Sequence, residues 1–459
     1  MTYKKLLTLA LIIFIGSFSM MLISREFLIP KFLPTLNGHI EGDPQLYNQI
    51  ALKKADVIRK NGLFFFELRP EGQGPAGIAS LAYLLSPNPY IIVLLNSLLH
   101  TLASITMILI LRFWFTSSIS IIGSIPFIVS PYLFFWFSQL NKDSFTIAGS
   151  LLFIFGFLKI TSTFTTSLKK QSYDLIIPML GIIFIWVMRP YINQMLLMLT
   201  IFILPILLFL KKNNYYNFLK FLISGILLII LLKTLNNGAA SDYSISSLND
   251  QRTNNLPIKS ERNPIVEKCF ASISSKNWNN EVLVPDNFNN YLRALMRQRC
   301  FTFTILEKQT NFTTIHSMIE TDHFPNGTIE TFKYLPRSLL NGLLAPYPNR
   351  WMFNLNHNFS IFYAIVPFEC CLLYVGIPCL FILIIRRKFW SLLIPIFFSL
   401  GMITITALAN PYLGVLYRYR YPWWMLLLCL GTSGILELFK YKNRNIYELN
   451  TENHQKIVI

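Results

Sequence analysis

Glu41-Gly42-Asp43, Asp143, Arg189 and the Tyr417-Arg418-Tyr419-Arg420-Tyr421-Pro422 segment place acids and bases beside long apolar runs. Charge at that depth costs a few kcal/mol or more unless it is paired or hydrated, so each residue asks for a reason. A carboxylate there can act as a general base, and two or more can hold a hard divalent cation. Arginines gathered there can hold an anion such as a phosphate. Each residue also has a plainer use. Asp43 and Asp143 both precede helical patterns and fit the N-cap position. Lys142 can pair with Asp143, and Arg189, Arg418 and Arg420 can snorkel to lipid headgroups. Glu369, Asn96 and His100 lie inside apolar runs and read as interior hydrogen-bonding residues.

The elements that must position these residues follow from composition. The chain has 459 residues, 53% hydrophobic, 15% aromatic and only 14% charged. Soluble domains carry about 25% charged residues, so the class is an all-α polytopic membrane protein. Long apolar runs bounded by charges or turns give about ten transmembrane helices. They cover Leu6 to Ile23, Tyr90 to Leu111, Ile119 to Phe137, Phe145 to Ile160, Leu175 to Met188, Ile192 to Leu210, Phe218 to Leu232, Phe359 to Ile385, Phe389 to Leu408 and Trp423 to Leu438. No small-residue cleavage site precedes Arg25, so the first run reads as a retained span.

The net charge of +18, from 40 Lys and Arg against 22 Asp and Glu, is then a matter of topology rather than of nucleic acid. Lys4-Lys5, Arg112, Lys169-Lys170, Lys211-Lys212, Arg386-Arg387-Lys388 and Lys440, Lys442 and Arg444 fall on every second connection. The positive-inside rule puts those connections and both termini in the cytoplasm. Arg189, Arg418 and Arg420 then face outward, against that bias. The run Ala76 to Leu85 reaches only about 15 Å, too short to span, and reads as a short helix on or dipping into the outer face.

Four segments result: 1–234, a membrane module with an amphipathic first outer loop at 24–89; 235–358, a large outer loop domain; 359–445, the C-terminal spans; and 446–459, a cytoplasmic tail. In the first outer loop, Asp43 as N-cap, Pro44 at the first helical position and Gly62 past the end punctuate a helix. Cys269 and Cys300 are the only cysteines in outer loops, where an oxidising compartment permits pairing, and the sequence leaves that disulfide open. No zinc-protease, P-loop, dinucleotide or CxxC motif occurs.

The order of these features resembles the GT-C superfamily of glycosyltransferases. The likeness is to the bacterial branch similar to protein O-mannosyltransferases and the aminoarabinose transferase of lipid A (glycosyltransferase family 39-like). Glu41-Gly42-Asp43 fits the ExD form of the family's acidic motif, and Asp43, Tyr47 and Ala51 match the D-x3-Y-x3-A pattern that follows it. Gly74-Pro75-Ala76-Gly77 through Leu85, the turn Ser86 to Pro89 and the span Tyr90 to Leu111 resemble the next elements. Asp143 is similar to the second family Asp, and Arg418 to Pro422 echo an Arg-Tyr-x-x-Pro element. Gln73-Gly74-Pro75-Ala76 departs from the Lys- or His-Pro-Pro-Leu element of those branches, which leaves Arg69 or Lys142 to supply its cation.

The resemblance implies a GT-C-like fold in the bacterial inner membrane, termini cytoplasmic, with the active site on the periplasmic or extracellular face. It implies transfer, with inversion, of a hexosyl or pentosyl group from a polyprenyl-phosphate-linked donor to a lipid, glycan or protein acceptor. Asp43 would be the general base, with Asp143 orienting the acceptor or helping to bind a divalent cation. Glu41, Tyr47, Lys142, Arg69, Arg189, Arg418 and Arg420 would bind substrate. Related branches work without a metal, yet Mg or Mn could be held here by Glu41 and Asp43, with His39 and Asp143 as further ligands. Membrane lipids are expected partners and nucleic acid is not. The alternatives are a surface-polysaccharide polymerase of O-antigen type, using Arg293, Arg297 and Arg299, and a polytopic transporter or lipid flippase. A non-catalytic assembly partner would not need the acids.

Overall fold

Long apolar runs leave the backbone no water to bond, so they close their own hydrogen bonds as helices. The computed structural model describes residues 2–32, 35–36, 39–162, 168–210, 223, 225–235, 263–274, 277–280, 284–304, 318–348, 362–387 and 390–457. The expected cytoplasmic pair Lys211-Lys212, the start of the span at Phe218 and that at Phe359, and residues 236–262 and 305–317 of the large loop lie outside the described residues. The chain is an all-α integral membrane protein. Six of its described helices are long and apolar enough to cross a membrane, and a bent pair makes a seventh.

The contacts divide the chain into two compact units. The first comprises Met1–Lys233, Asn354–Ile396 and Met425–Ile459, and the second Thr234–Phe353 with Phe397–Trp424. That division differs from a cut at residues 234, 358 and 445, because the helices following residue 396 contribute to both units.

In the first unit, α1 (Tyr3–Ile23) continues through a π-helical turn, Ser24–Leu28. A two-residue hairpin follows, β1 (Thr35–Leu36) antiparallel to β2 (His39–Ile40), with Thr35 opposite Ile40. Next come α2 (Asp43–Asn61), α3 (Gly74–Leu85) and α4 (Tyr90–Leu111). The expected third span is broken into α5 (Ser117–Ile128) and α6 (Pro131–Phe137), bent by 55°. Pro131 explains the break: it pushes Ser130 into extended backbone, ψ 116°, and supplies no amide to the ladder. Then follow α7 (Asp143–Ser162), α8 (Leu168–Met188), α9 (Pro190–Leu210) and α10 (Gly225–Leu235). Of the ten expected spans, those at α8 and α10 have described apolar parts shorter than a full crossing.

The second unit contains α11 (Pro264–Ser272), α12 (Asp286–Phe303) and α13 (Thr328–Leu344). A Cys269–Cys300 disulfide, Cα to Cα 5.4 Å, joins α11 to α12. The remaining helices are α14 (Phe362–Arg387), α15 (Leu393–Ala409) and α16 (Leu413–Ile457). The described part of α15 is likewise short of a full crossing.

Candidate functional site

Asp43 stands at the head of α2. Gly42 takes φ +106°, a conformation that favours glycine, and its carbonyl accepts the Leu46 amide at 3.0 Å to start the helix ladder. Gly42 is therefore the N-cap and Asp43 the first helical residue, so the cap falls one residue earlier than the Asp43 cap expected from the sequence. The Asp43 side chain caps nothing. It is exposed, and neither it nor Glu41 makes a hydrogen bond or ion pair with another described residue.

The rest of α2 is held by a small-residue crossing. Tyr47, Ile50, Ala51 and Ala55 share one face and pack on Ala76, Ala79 and Tyr83 of α3. The Tyr83 hydroxyl donates to Asn48 Oδ1 at 2.5 Å, which fixes the rotation of the two helices. Leu140 enters the same cluster, so the segment before α7 is brought against the start of α2. At the other end of α3, Gly74 meets the Val187 backbone, where a Cβ would come 2.1 Å from the carbonyl oxygen. Only glycine lets α3 approach this close to the end of α8, two residues before Arg189.

The segment between α6 and α7 is fastened from three sides. Arg25, buried in the π-helical turn, donates to the Ser138 carbonyl at 2.9 Å. Asn96 of α4 donates to the carbonyls of Phe137 at 2.7 Å and Gln139 at 3.0 Å, and accepts from Ser144 Oγ at 2.8 Å. The Ile40 amide of β2 donates to Gln139 Oε1 at 3.1 Å. These bonds present Lys142 and Asp143 at the start of α7. Sequence reading gave Asn96 an interior hydrogen-bonding role but tied neither it, Arg25 nor Gln139 to the site. An arginine at the end of a span and amides flanking an acid were the available signals.

Asp143 is the first residue of α7, one position past the carbonyl of Lys142 that accepts the Thr146 amide at 3.2 Å. Its Oδ1 accepts from Arg189 Nη2 at 2.6 Å, and the two side chains are 6% and 3% exposed. Arg189 is the single residue between α8 and α9, with Pro190 opening the next helix. Lys142 stays out of that pair. Its ammonium lies 5.2 Å from the centre of the Tyr47 ring, and it forms no ion pair with a described residue. Burial lowers the Lys142 pKa to about 8, with Arg189 and Arg69 adding to the drop and Asp43 and Asp143 opposing it. These five charges therefore share one local field. The Arg69 guanidinium sits 5.9 Å over the Trp186 ring and donates to the Gly72 carbonyl at 3.4 Å.

Three cations against two carboxylates make a site suited to an anion, with one carboxylate left free to take a proton. Asp143 is paired with Arg189, Lys142 shares the field of Asp43, and among the described residues no three His, Cys, Asp or Glu side chains gather. His39 is fully buried in β2, where desolvation holds its pKa down to about 4.

Arg418 and Arg420 lie on the part of α16 that belongs to the second unit. Arg418 is half-buried. Arg420 is 1% exposed, donates to the carbonyls of Gly342 and Ala345 at the end of α13, and lies over Tyr417 and Trp424. Its guanidinium thus caps a helix end. Two arginines of the polymerase alternative are similarly occupied. Arg299 donates to the Glu320 carbonyl at 3.1 Å and lies 5.3 Å over Tyr334, and Arg293 donates to the Ile273 carbonyl at 2.9 Å.

No protein-family model and no curated protein matches this chain. Its chemistry has to be argued from the residues themselves.

Proposed function

We propose that this protein is a membrane glycosyltransferase that moves a sugar from a polyprenyl-phosphate-linked donor to a lipid, glycan or protein acceptor at the outer face of the bilayer. The observation that carries the reading is the exposed Asp43 carboxylate, engaged by no described residue, beside the ammonium of Lys142 and the buried Asp143–Arg189 pair. The alternation of basic clusters along the sequence, read with the positive-inside rule, supports assigning that cluster to the outer side.

Asp43 takes the proton of the acceptor hydroxyl as its oxygen attacks the anomeric carbon. The bond from that carbon to the phosphate oxygen breaks on the opposite face, so one displacement inverts the configuration. Charge then builds on the departing polyprenyl phosphate, where Lys142, Arg69 and Arg189 supply fixed positive charge. Asp143 acts through Arg189 by holding its guanidinium in place. Tyr47 forms the wall under Lys142, and Glu41 stands beside Asp43 at the acceptor side. Arg418 and Arg420 belong to the second unit, where Arg420 orders the end of α13, and take no part in this step. The cations do the work that a divalent metal would do, so transfer survives a chelator.

A general base supplies about 10²–10⁴ in rate, so Asp43→Ala loses that factor while the fold persists. Alanine at Arg297, the polymerase residue with no hydrogen bond or ion pair among the described residues, leaves transfer within a few-fold of wild type. The opposite ranking of Asp43 and Arg297 replaces this reading with the polymerase one.

A further inference from the structure

Helix α13 has its polar face inside. Thr328, Thr331, Tyr334, Ser338, Asn341 and Gly342 are its buried residues. Ile329, Phe332 and Leu340 are 47%, 44% and 52% exposed. At about 100° per residue the helix divides into three sectors. One is buried and polar; the next is exposed and apolar, with Ile329, Phe332, Pro336 and Leu340; the last is exposed and charged, with Glu330, Lys333 and Arg337. The apolar sector is about 100° wide, the width that a helix normally turns to a protein core. Here the core side is already taken by the polar residues.

The contacts of the buried sector set the helix against the apolar helices α15 and α16. Ser338 Oγ donates to the Thr404 carbonyl of α15 at 2.9 Å, and Gly342 lies against Ile403. Trp424 Nε1 of α16 donates to the Leu343 carbonyl at 3.0 Å. Thr404 is five residues from the end of α15 at Ala409, about 8 Å along the axis. A helix lying in the membrane interface sinks about 5–10 Å, with an apolar side in acyl chains and a charged side in water.

We infer that α13 is an interfacial membrane helix whose Ile329, Phe332, Pro336 and Leu340 contact the acyl chains of the leaflet at the Ala409 end of α15. A segment that the sequence assigns to a water-facing loop is thus in part a lipid-binding surface. The inference does not depend on the catalytic reading, since it uses none of its residues except the end of α13 ordered by Arg420. Exposed apolar area on a water-facing domain would instead be an aggregation liability.

The test uses the full chain in phosphatidylcholine vesicles, with Cys370, Cys371, Cys379 and Cys429 replaced by alanine. Single cysteines are placed as F332C, L340C, E330C and K333C and reacted with a water-soluble maleimide. Apolar burial raises a thiol pKa, and one unit already cuts the reactive thiolate tenfold. F332C and L340C should react at least about tenfold more slowly than E330C and K333C, and all four should react alike after SDS denaturation. Retention of the Cys269–Cys300 bond on non-reducing gels selects the folded samples. As a second readout, a bimane placed at 332 or 340 should be quenched by acyl-chain spin labels in the same vesicles. Equal maleimide rates at all four positions, or bimane quenched only by aqueous iodide, overturn the inference.

Discussion

Breaking the Asp143–Arg189 pair tests how the site is held. The pair is short, 2.6 Å, and its side chains are only 6% and 3% exposed, so water cannot replace either partner. Removing one partner of such a pair strands a buried charge and costs about 3–5 kcal/mol, whereas removing both charges together avoids most of that penalty. Asp143 also stands in the first turn of α7, where its charge adds about 0.3–1 kcal/mol with the helix dipole. Asp143→Ala and Arg189→Met should therefore each lower stability by about 3–5 kcal/mol, and the double variant should cost no more than either single one. The assay is unfolding by SDS in mixed micelles, followed by circular dichroism, with the coupling taken from the double-mutant cycle. A double variant whose loss equals the sum of the single losses would show that the two side chains act independently, and would refute the claim that Asp143 positions Arg189.

Lys142 gives a pH prediction with two opposite signs. Its pKa is lowered from 10.5 to about 8, so its ammonium is lost as pH rises through about 8, and KM for the lipid-linked donor should climb there. Because the unfolded chain holds that proton up to about 10.5, fold stability should rise over the same interval. Lys142→Arg should keep the charge and carry the KM rise to higher pH; a KM flat from pH 7 to 10 in the wild type removes Lys142 from donor binding. Gly42→Ala forces an L side chain into φ +106°, a strain of about 1–3 kcal/mol that displaces Asp43. The expected result is a loss of kcat larger than the loss of stability, measured side by side on the purified protein; unchanged kcat would show that the backbone at Gly42 does not aim the base.

The membrane class, the ends of most helices, the acidic residues and the outer cysteine pair as candidates were legible because each rests on local pattern. Apolar runs longer than a bilayer is thick announce themselves, and Gly42, Pro44 and Gly62 punctuate α2 within two residues. What was not legible depends on contacts far apart in sequence. Lys142 is the nearer cation to Asp143 in sequence, yet Arg189 takes the carboxylate, because α7 and α8 pack along each other and bring their ends together. Asn96, Gln139 and Arg25 secure the segment before Asp143 through carbonyls, which no side-chain pattern marks. The break at Pro131 is hidden in an apolar run because hydropathy is blind to a missing amide. Arg420, which its sequence position offers as an anion ligand, donates to the carbonyls of Gly342 and Ala345 more than seventy residues away, a pairing no local pattern marks. The polar side of α13 is inward, the reverse of what periodicity assumes for a loop domain in water.

The central claim is that Asp43 is the base of a glycosyl transfer. Mass spectrometry of membrane lipids and cell-surface glycans, comparing cells without the protein, with the wild type and with Asp43→Asn at equal membrane abundance, tests it most directly. The account predicts a sugar added to one acceptor class with the wild type and absent from the other two. The same modification appearing with Asp43→Asn, or no glycan difference between the wild type and cells without the protein, would contradict it.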